Sequence, residues 1–407
     1  MTSSLKGVTS MKSRVYYANR QARPDYNMLD KLHHIFNELG LKKAIKKGSK
    51  VMIKTHFGAW GNTNYLRPAY VRELVDLVKA AGGHPYVAES CGLGYGAGGA
   101  YGGRTTAPEY LSMAALNGFS EATIGAPIIM ADGYWGNDVL RAKVNGKYIK
   151  FVDVAAAALD ADIIIVLTHA KGHGLSGLGG SLKNIGIGMV GKSGKAAMHF
   201  VGKPKIDFEK CFGPECALCL KVCPVRCITM EEKATINEKA CISCGHCRSV
   251  CSSKAKARAI SINWRPPHEQ AVRFVENALG VIDFVGRDRF FFLNLAIDIS
   301  DKCDCWNVGA PLLVHDIGIF GSRDPLAIDQ ATVDAINDSI PNPDSEARAA
   351  HQGDKILAVA HQHKNPKTGE LADFSELQFA HAEKMGLGSR EYELVEINKK
   401  PPKSIGH

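Results

Sequence analysis

The sequence predicts an α/β fold built on a mostly parallel sheet and interrupted by a small cysteine-rich insert. Three observations predict it. Segments of strand and helix character alternate through the first 170 residues and resume after about residue 260. The run DIIIVLT at 162–168 is continuously apolar, as in a strand buried on both faces. Nine of the twelve cysteines fall between Cys211 and Cys251. Strands separated by helices argue for βαβ units and a parallel sheet.

Taken in order, 13–17 reads as a strand and 29–41 has helical apolar spacing. KVMIKTHF at 50–57 is a β-rich run, 68–81 an amphipathic helix stopped by Gly82-Gly83, and 84–90 a further strand. The glycine-rich stretch GLGYGAGGAYGG then follows a strand directly. It reads equally as a linker or as a ligand-binding loop at the sheet edge. Beyond the insert, 269–279 is helical, and 289–299 and 311–320 are strand-like. At 324–337 a helix is expected, with Asp324 as its cap and Pro325 in its first turn. The expected organisation is 1–205 and 259–345 as two parts of one α/β domain, 206–258 as the insert, and 346–407 as a polar helical segment.

Composition sets outer limits. At 407 residues and roughly 150 per domain, two to three domains are expected. The net charge of +9 is mild and scattered. It reads as a solvated surface rather than a nucleic-acid site, and is compatible with docking an acidic redox partner. No stretch reaches the roughly 18 apolar residues of a membrane span. The first 14 residues lack the apolar core of a secretory signal. A cytoplasmic location is therefore expected, and in a reducing compartment clustered cysteines point to metal ligation rather than disulfides.

The insert carries Cys211-x4-Cys216-x2-Cys219-x3-Cys223-Pro224, then Cys241-x2-Cys244-x2-Cys247-x3-Cys251. Zinc favours separated C-x2-C knuckles. The tandem run is that of a bacterial ferredoxin-like module holding two [4Fe–4S] clusters, in which the fourth cysteine of each motif serves the other cluster. One set is then Cys211, Cys216, Cys219 and Cys251. The other is Cys241, Cys244, Cys247 and Cys223. Residues 228–230 and 234–236 read as the hairpin joining the halves. Two departures stand out: the first gap has four residues instead of two, and Cys251 is followed by Ser252 instead of proline. Cys227 is surplus and reads as a core thiol.

A second constellation follows the apolar strand. His169, Lys171 and His173 are expected on the loop at its carboxyl end, where parallel sheets bind ligands. Gly177, Gly179 and Gly180 permit close backbone approach before a helix starting near Ser181, whose free N–H groups would suit an anion. Lys183 falls in its first turn, and His199 lies downstream. Other strand ends supply Lys54, His56 and Glu89, with Arg104 and Asp132 on loops. His173, Lys183, His199, His56 and Glu89 are the candidate catalytic residues. Lys54, His169, Lys171 and the three glycines are candidates for binding a second, unspecified cofactor or a small-molecule substrate. Cys303-Asp304-Cys305, directly after an apolar strand, reads either as a core pair or as part of a metal, cluster or redox site.

The segments KTHFGAWGNTNYLRP, GHGLSGLGGSLKN, the cysteine tandem, CDCW and DIGIFGSRDPLAIDQATVDAI together resemble the ferredoxin-containing family called domain of unknown function 362, common in anaerobic bacteria and archaea. That resemblance implies an iron–sulfur protein. The spacing His173-x9-Lys183-x15-His199 also resembles nickel-pincer lactate racemases, over about thirty residues. By position it implies a proton-transfer base at His173, a pincer-nucleotide tether at Lys183 and a nickel ligand at His199. Three functions are therefore expected in order: an iron–sulfur oxidoreductase with a ferredoxin or oxidoreductase partner, an electron carrier or metallocofactor maturation protein, and a pincer-dependent isomerase.

Overall fold

The computed structural model describes residues 12–94, 103–364 and 368–399. Eight strands form the central sheet: β1 (Ser13–Asn19), β2 (Lys50–Lys54), β3 (His84–Glu89), β4 (Ile128–Met130), β5 (Ile163–His169), β6 (Phe290–Ala296), β7 (Gly318–Ser322) and β8 (Tyr392–Glu396). Their order is β8-β1-β7-β6-β5-β2-β3-β4. Every pairing is parallel except those of β7, which runs antiparallel to β1 and β6. The fold is α/β with a mostly parallel sheet. Strands from before and after the cysteine-rich insert interleave in this sheet, since β5 pairs with β6 from Ile164↔Phe290 onwards.

Side chains alternate across a strand, so a run apolar at every position feeds two cores. Ile164 and Val166 face one, with Met52, Phe290, Phe292 and Phe320. Ile163, Ile165 and Leu167 face the other, with Val51, Ile53, Phe291 and Leu293. The second face is covered by α1 (Met28–Glu38), α2 (Pro68–Ala80) and α3 (Ala107–Leu116). The first is covered by α4 (Ser181–Gly186), α5 (Lys192–His199), α6 (Pro267–Val285), α7 (Pro325–Asn337) and α8 (Phe374–Lys384). Each fully buried Ile, Leu or Phe contributes about 1.5–3 kcal/mol.

Several expectations shift. The strand expected at 311–320 begins only at Gly318, because the preceding segment loops back and Leu312 makes just an isolated bridge to Ser300. The segment 346–407, expected to be polar and helical, supplies β8 to the sheet edge and puts Phe374, Phe379 and Leu387 into the core. Its YELVE sequence hides this because an edge strand exposes half its residues. The glycine-rich stretch falls largely outside the described residues. Asp324 caps α7 as expected, accepting from the N–H groups of Leu326 and Ala327.

The insert is entered and left through a two-stranded ribbon, Phe200–Ile206 against Ile260–Trp264. Inside it, the hairpin Ile228–Met230/Ala234–Ile236 and the helices Leu218–Lys221 and His246–Ser253 frame the cysteines.

Candidate functional site

The eight motif cysteines gather into two sets. Cys211, Cys216, Cys219 and Cys251 line one cavity, walled by Ile206, Met230, Ala234 and Ile260. Cys223, Cys241, Cys244 and Cys247 line another, walled by Pro204, Ile228, Ile236 and Ile242. In each, the fourth cysteine comes from the other motif. Backbone N–H groups point at sulfurs in both sets: Ala259 to Cys251 at 3.2 Å, Cys227 to Cys223 at 3.3 Å and Ser243 to Cys241 at 3.4 Å. Such donors would complement the charge on cluster-bound sulfur, and the cavity walls are largely apolar. The donor set, its grouping and these N–H bonds fit cuboidal clusters. The surplus Cys227 is buried, with its sulfur 3.6 Å from that of Cys223.

The second site is a cavity of about 200 Å³. It opens beyond the carboxyl ends of β6, β5, β2 and β3, four neighbours in the sheet. From these ends come Asp304 and Cys305, His169 to His173, His56, and Glu89 with Ser90. Helices α4 and α5 close the cavity with Lys183, Lys195 and His199. His173, Lys183, His199, His56 and Glu89 all line this one space, as do His169, Lys171, Gly179, Gly180 and Arg104.

Lys171 and His173 are not on a loop. They form a short strand, Lys171–His173, paired with Gly177–Gly179. The hairpin aims both inward, where Asp304 accepts from Lys171 Nζ at 2.7 Å and bonds His169 Nδ1 at 3.1 Å. Lys54 lies beneath the cavity, fully buried, 2.9 Å from Glu89 Oε1 and donating to Asn184 at 2.6 Å. Asp132 lies aside as well, accepting from the N–H of Cys91 at 2.9 Å.

The anion site expected at the start of α4 is filled by the chain itself. Buried Asp329 accepts from the N–H groups of Ser181 and Leu182 at 2.7 and 2.9 Å. Gly180 is required by this carboxylate, which a Cβ would meet at 2.4 Å, and Gly177 by its φ of +72° and the Ser375 hydroxyl at 2.2 Å. Both glycines thus serve internal packing.

The cavity gathers Lys171, Lys183, Lys195 and Arg104 against the carboxylates of Glu89 and Asp304. Burial holds His173 and His56 well below their ordinary 6.5 and His199 at about 4. His199 Nδ1 bonds Gln270 Oε1 at 2.6 Å, and the Gln270 amide donates to Arg265 O, which fixes the oxygen toward His199. His199 therefore carries its proton on Nδ1 and keeps a lone pair on Nε2. Burial alone would lower the Lys183 amine, but the facing sulfurs of Cys303 and Cys305 and the Asp304 carboxylate raise it. Its Nζ donates to Cys303 Sγ at 3.3 Å and lies 4.0 Å from Cys305 Sγ. Hydrogen bonding to Cys303, with the charges of Lys183 and Arg104, holds Cys305 down at about 6, while burial drives Cys303 well above its ordinary range.

Lys195, Asn184 and Gln270 were not singled out from the sequence, and Asp304 only as the middle of Cys303-Asp304-Cys305. Lys195 carried a signal: it stands four residues before His199, on the same helical face. Nothing in the sequence paired Asp304 with Lys171 and His169, which lie more than 130 residues away.

The profile of the family described as Domain of unknown function (DUF362) matches residues 51–334. The chain belongs to this family. Within this DUF362 protein, 48 residues are 44% identical to "Ferredoxin 7Fe" of Hydrogenibacillus schlegelii, covering 12% of the chain and 62% of that protein, just under two thirds of its length. Another 52-residue match, 38% identical, is to the "Ferredoxin" of Methanothermococcus thermolithotrophicus, covering 12% of the chain and 87% of that protein. These matches and the clustered cysteines support iron–sulfur binding. Among solved structures, the lactate racemase apoprotein from Thermoanaerobacterium thermosaccharolyticum aligns with a TM-score of 0.38 at 10% identity, over 95% of this chain and 83% of that one. No helix among the described residues is long and apolar enough to cross a membrane.

Proposed function

We propose that this DUF362 protein is an iron–sulfur oxidoreductase of a reducing, cytoplasmic compartment. In this reading, two [4Fe–4S] clusters connect a redox partner to a substrate or second cofactor in the strand-end cavity. Cys211, Cys216, Cys219 and Cys251 would hold one cluster, and Cys223, Cys241, Cys244 and Cys247 the other. When bound, such clusters supply one-electron transfer.

The observation that carries the reading is the position of α5. Its Lys192 bonds His246, which lines the second cysteine cavity, at 3.0 Å. One and two turns further on, Lys195 and His199 line the strand-end cavity. The insert also docks through the N–H of Gly94, which donates to Cys244 O at 2.9 Å. The second cysteine set is thus the one beside the cavity. The first set lies beside exposed Phe212, a surface suited to a partner. In the cavity, Lys183, Lys195 and Arg104 offer positive charge to a small anionic substrate. Neutral His199, with its Nε2 lone pair, is placed to accept a proton released when a substrate is oxidised.

Anaerobically purified protein should contain about eight irons and eight sulfides and, when reduced, show the EPR of two interacting centres. Stoichiometric zinc without labile sulfide would exclude the clusters. The cavity's part is tested by mixing reduced protein with small anionic oxidants and following cluster reoxidation. Lys183→Ala should slow it at least tenfold with iron content unchanged. Equal rates for every oxidant would mean that electrons do not pass through this cavity.

A further inference from the structure

Beside Lys183, three potential ligands converge that the cluster motifs do not use. One nitrogen of His173 and the sulfurs of Cys303 and Cys305 all lie within 4.8 Å of one another. We propose that His173, Cys303 and Cys305 form a mononuclear site for a borderline divalent cation of the zinc or cobalt class, with a coordination position open to the cavity.

The donor chemistry is that of a two-thiolate, one-imidazole set, which such cations bind in tetrahedral geometry. With metal–sulfur bonds of about 2.3 Å and metal–nitrogen bonds of about 2.0 Å, tetrahedral ligand atoms stand about 3.5–3.8 Å apart. A contraction of about 1 Å reaches that from the observed spread, and side-chain rotation supplies it. The C-x-C loop already brings its two sulfurs to one side, the Cys305 N–H donating to Cys303 Sγ at 3.4 Å.

His173 is oriented as a ligand would be. Ser176 Oγ donates its only proton to Leu178 O at 2.8 Å. Ser176 Oγ at 2.8 Å and the Leu175 N–H, which donates at 3.3 Å, both engage His173 Nδ1 and fix the ring. A metal on Nε2 would place the ring proton on Nδ1, where Ser176 Oγ can accept it, the arrangement that metal-ligating histidines use. Gln378, buried on α8, donates to Ser176 O at 2.6 Å and holds the support in place.

His173 and Cys305 line the cavity and Cys303 is buried behind them. A fourth position therefore faces the cavity, which is the feature that separates reactive from purely structural sites. The Lys183 ammonium now provides the counter-charge to the sulfurs. A dication would take over that role and release the Lys183 amine toward bound substrate. The site stands independently of the cluster reading, since none of its ligands belongs to the tandem motifs.

The test uses cluster-loaded protein, treated anaerobically with a zinc chelator and titrated with Co(II) alone. About one equivalent should bind, with sulfur-to-cobalt charge-transfer absorption and intense tetrahedral d–d bands. Cobalt-edge X-ray absorption should report two sulfurs and at least one nitrogen. The Cys303→Ser/Cys305→Ser double variant and His173→Ala should each weaken Co(II) binding at least a hundredfold, with iron and labile sulfide unchanged. Four sulfurs around cobalt, an all-oxygen shell, or no uptake at micromolar Co(II) would each overturn the proposal. The absorption result needs no variant, so it stands even if the substitutions unfold the chain. Iron and sulfide assays on the same samples separate failure of this site from failure of the clusters.

Discussion

At the residue scale, Cys305 is a thiol that its surroundings push below its ordinary range. It shares a hydrogen bond with Cys303 and faces Lys183 and Arg104, which hold its thiol at about 6. Its carbonyl also accepts from Arg104 at 2.6 Å. Below pH 6 it is the thiol, and above it the thiolate, the reactive form. Alkylation of Cys305 in the cluster-loaded, metal-free protein should rise with pH through about 6 and then level off, as followed by peptide mass spectrometry. Lys183→Gln removes the positive charge 4.0 Å away, so the midpoint should move up by about 1–3 units. An unmoved midpoint would mean that Lys183 does not act on this sulfur.

At the scale of single elements, α4 depends on a carboxylate from another helix. Its six residues are too few to be stable alone. Asp329 on α7 accepts from two of its N–H groups and from the Asn294 amide at 2.8 Å, all out of water. Asp329→Ala leaves these donors buried and unpaired, each costing about 1–3 kcal/mol. Destabilisation of about 3 kcal/mol or more is expected in chemical denaturation of the cluster-loaded protein, with Lys183 misplaced as a consequence. A loss below about 1 kcal/mol would show that α4 is held by its apolar face, through Leu182 and Ile185, alone.

At the scale of the whole molecule, the insert and the sheet meet through α5 and Gly94. Because the fourth cysteine of each motif completes the other set, damage should cross between motifs. Cys223→Ser should abolish the centre otherwise held by Cys241, Cys244 and Cys247, leaving roughly half the iron and a non-interacting EPR signal. Loss of the signal from the other centre instead would reverse the grouping of the cysteines. The remaining centre should then be reducible by an external donor yet exchange electrons with the cavity slowly, because the set nearer α5 is gone.

Part of this was legible along the chain. The run at 162–168 announced a two-faced strand because residues 163–167 are all apolar, and Asp324-Pro325 announced a helix start by its capping chemistry. The cysteine spacing announced how eight cysteines would group, each set completed by one from the other motif, because short loops have local geometry. The strand ends pointed to His56, Glu89, His169 and His173 because side-chain position at a parallel sheet edge follows from strand direction. What the sequence could not reveal depends on pairings between distant residues. Asp329 filling the start of α4 and Asp304 binding Lys171 and His169 join segments more than 130 residues apart. Strand β8 is recognisable only beside β1, because an edge strand lacks the apolar repeat of a buried one. Local chemistry determined the elements and the two cysteine groups. Only the strand order of the sheet, which set β6 next to β5, decided that Cys303 and Cys305 would face His173 and Lys183.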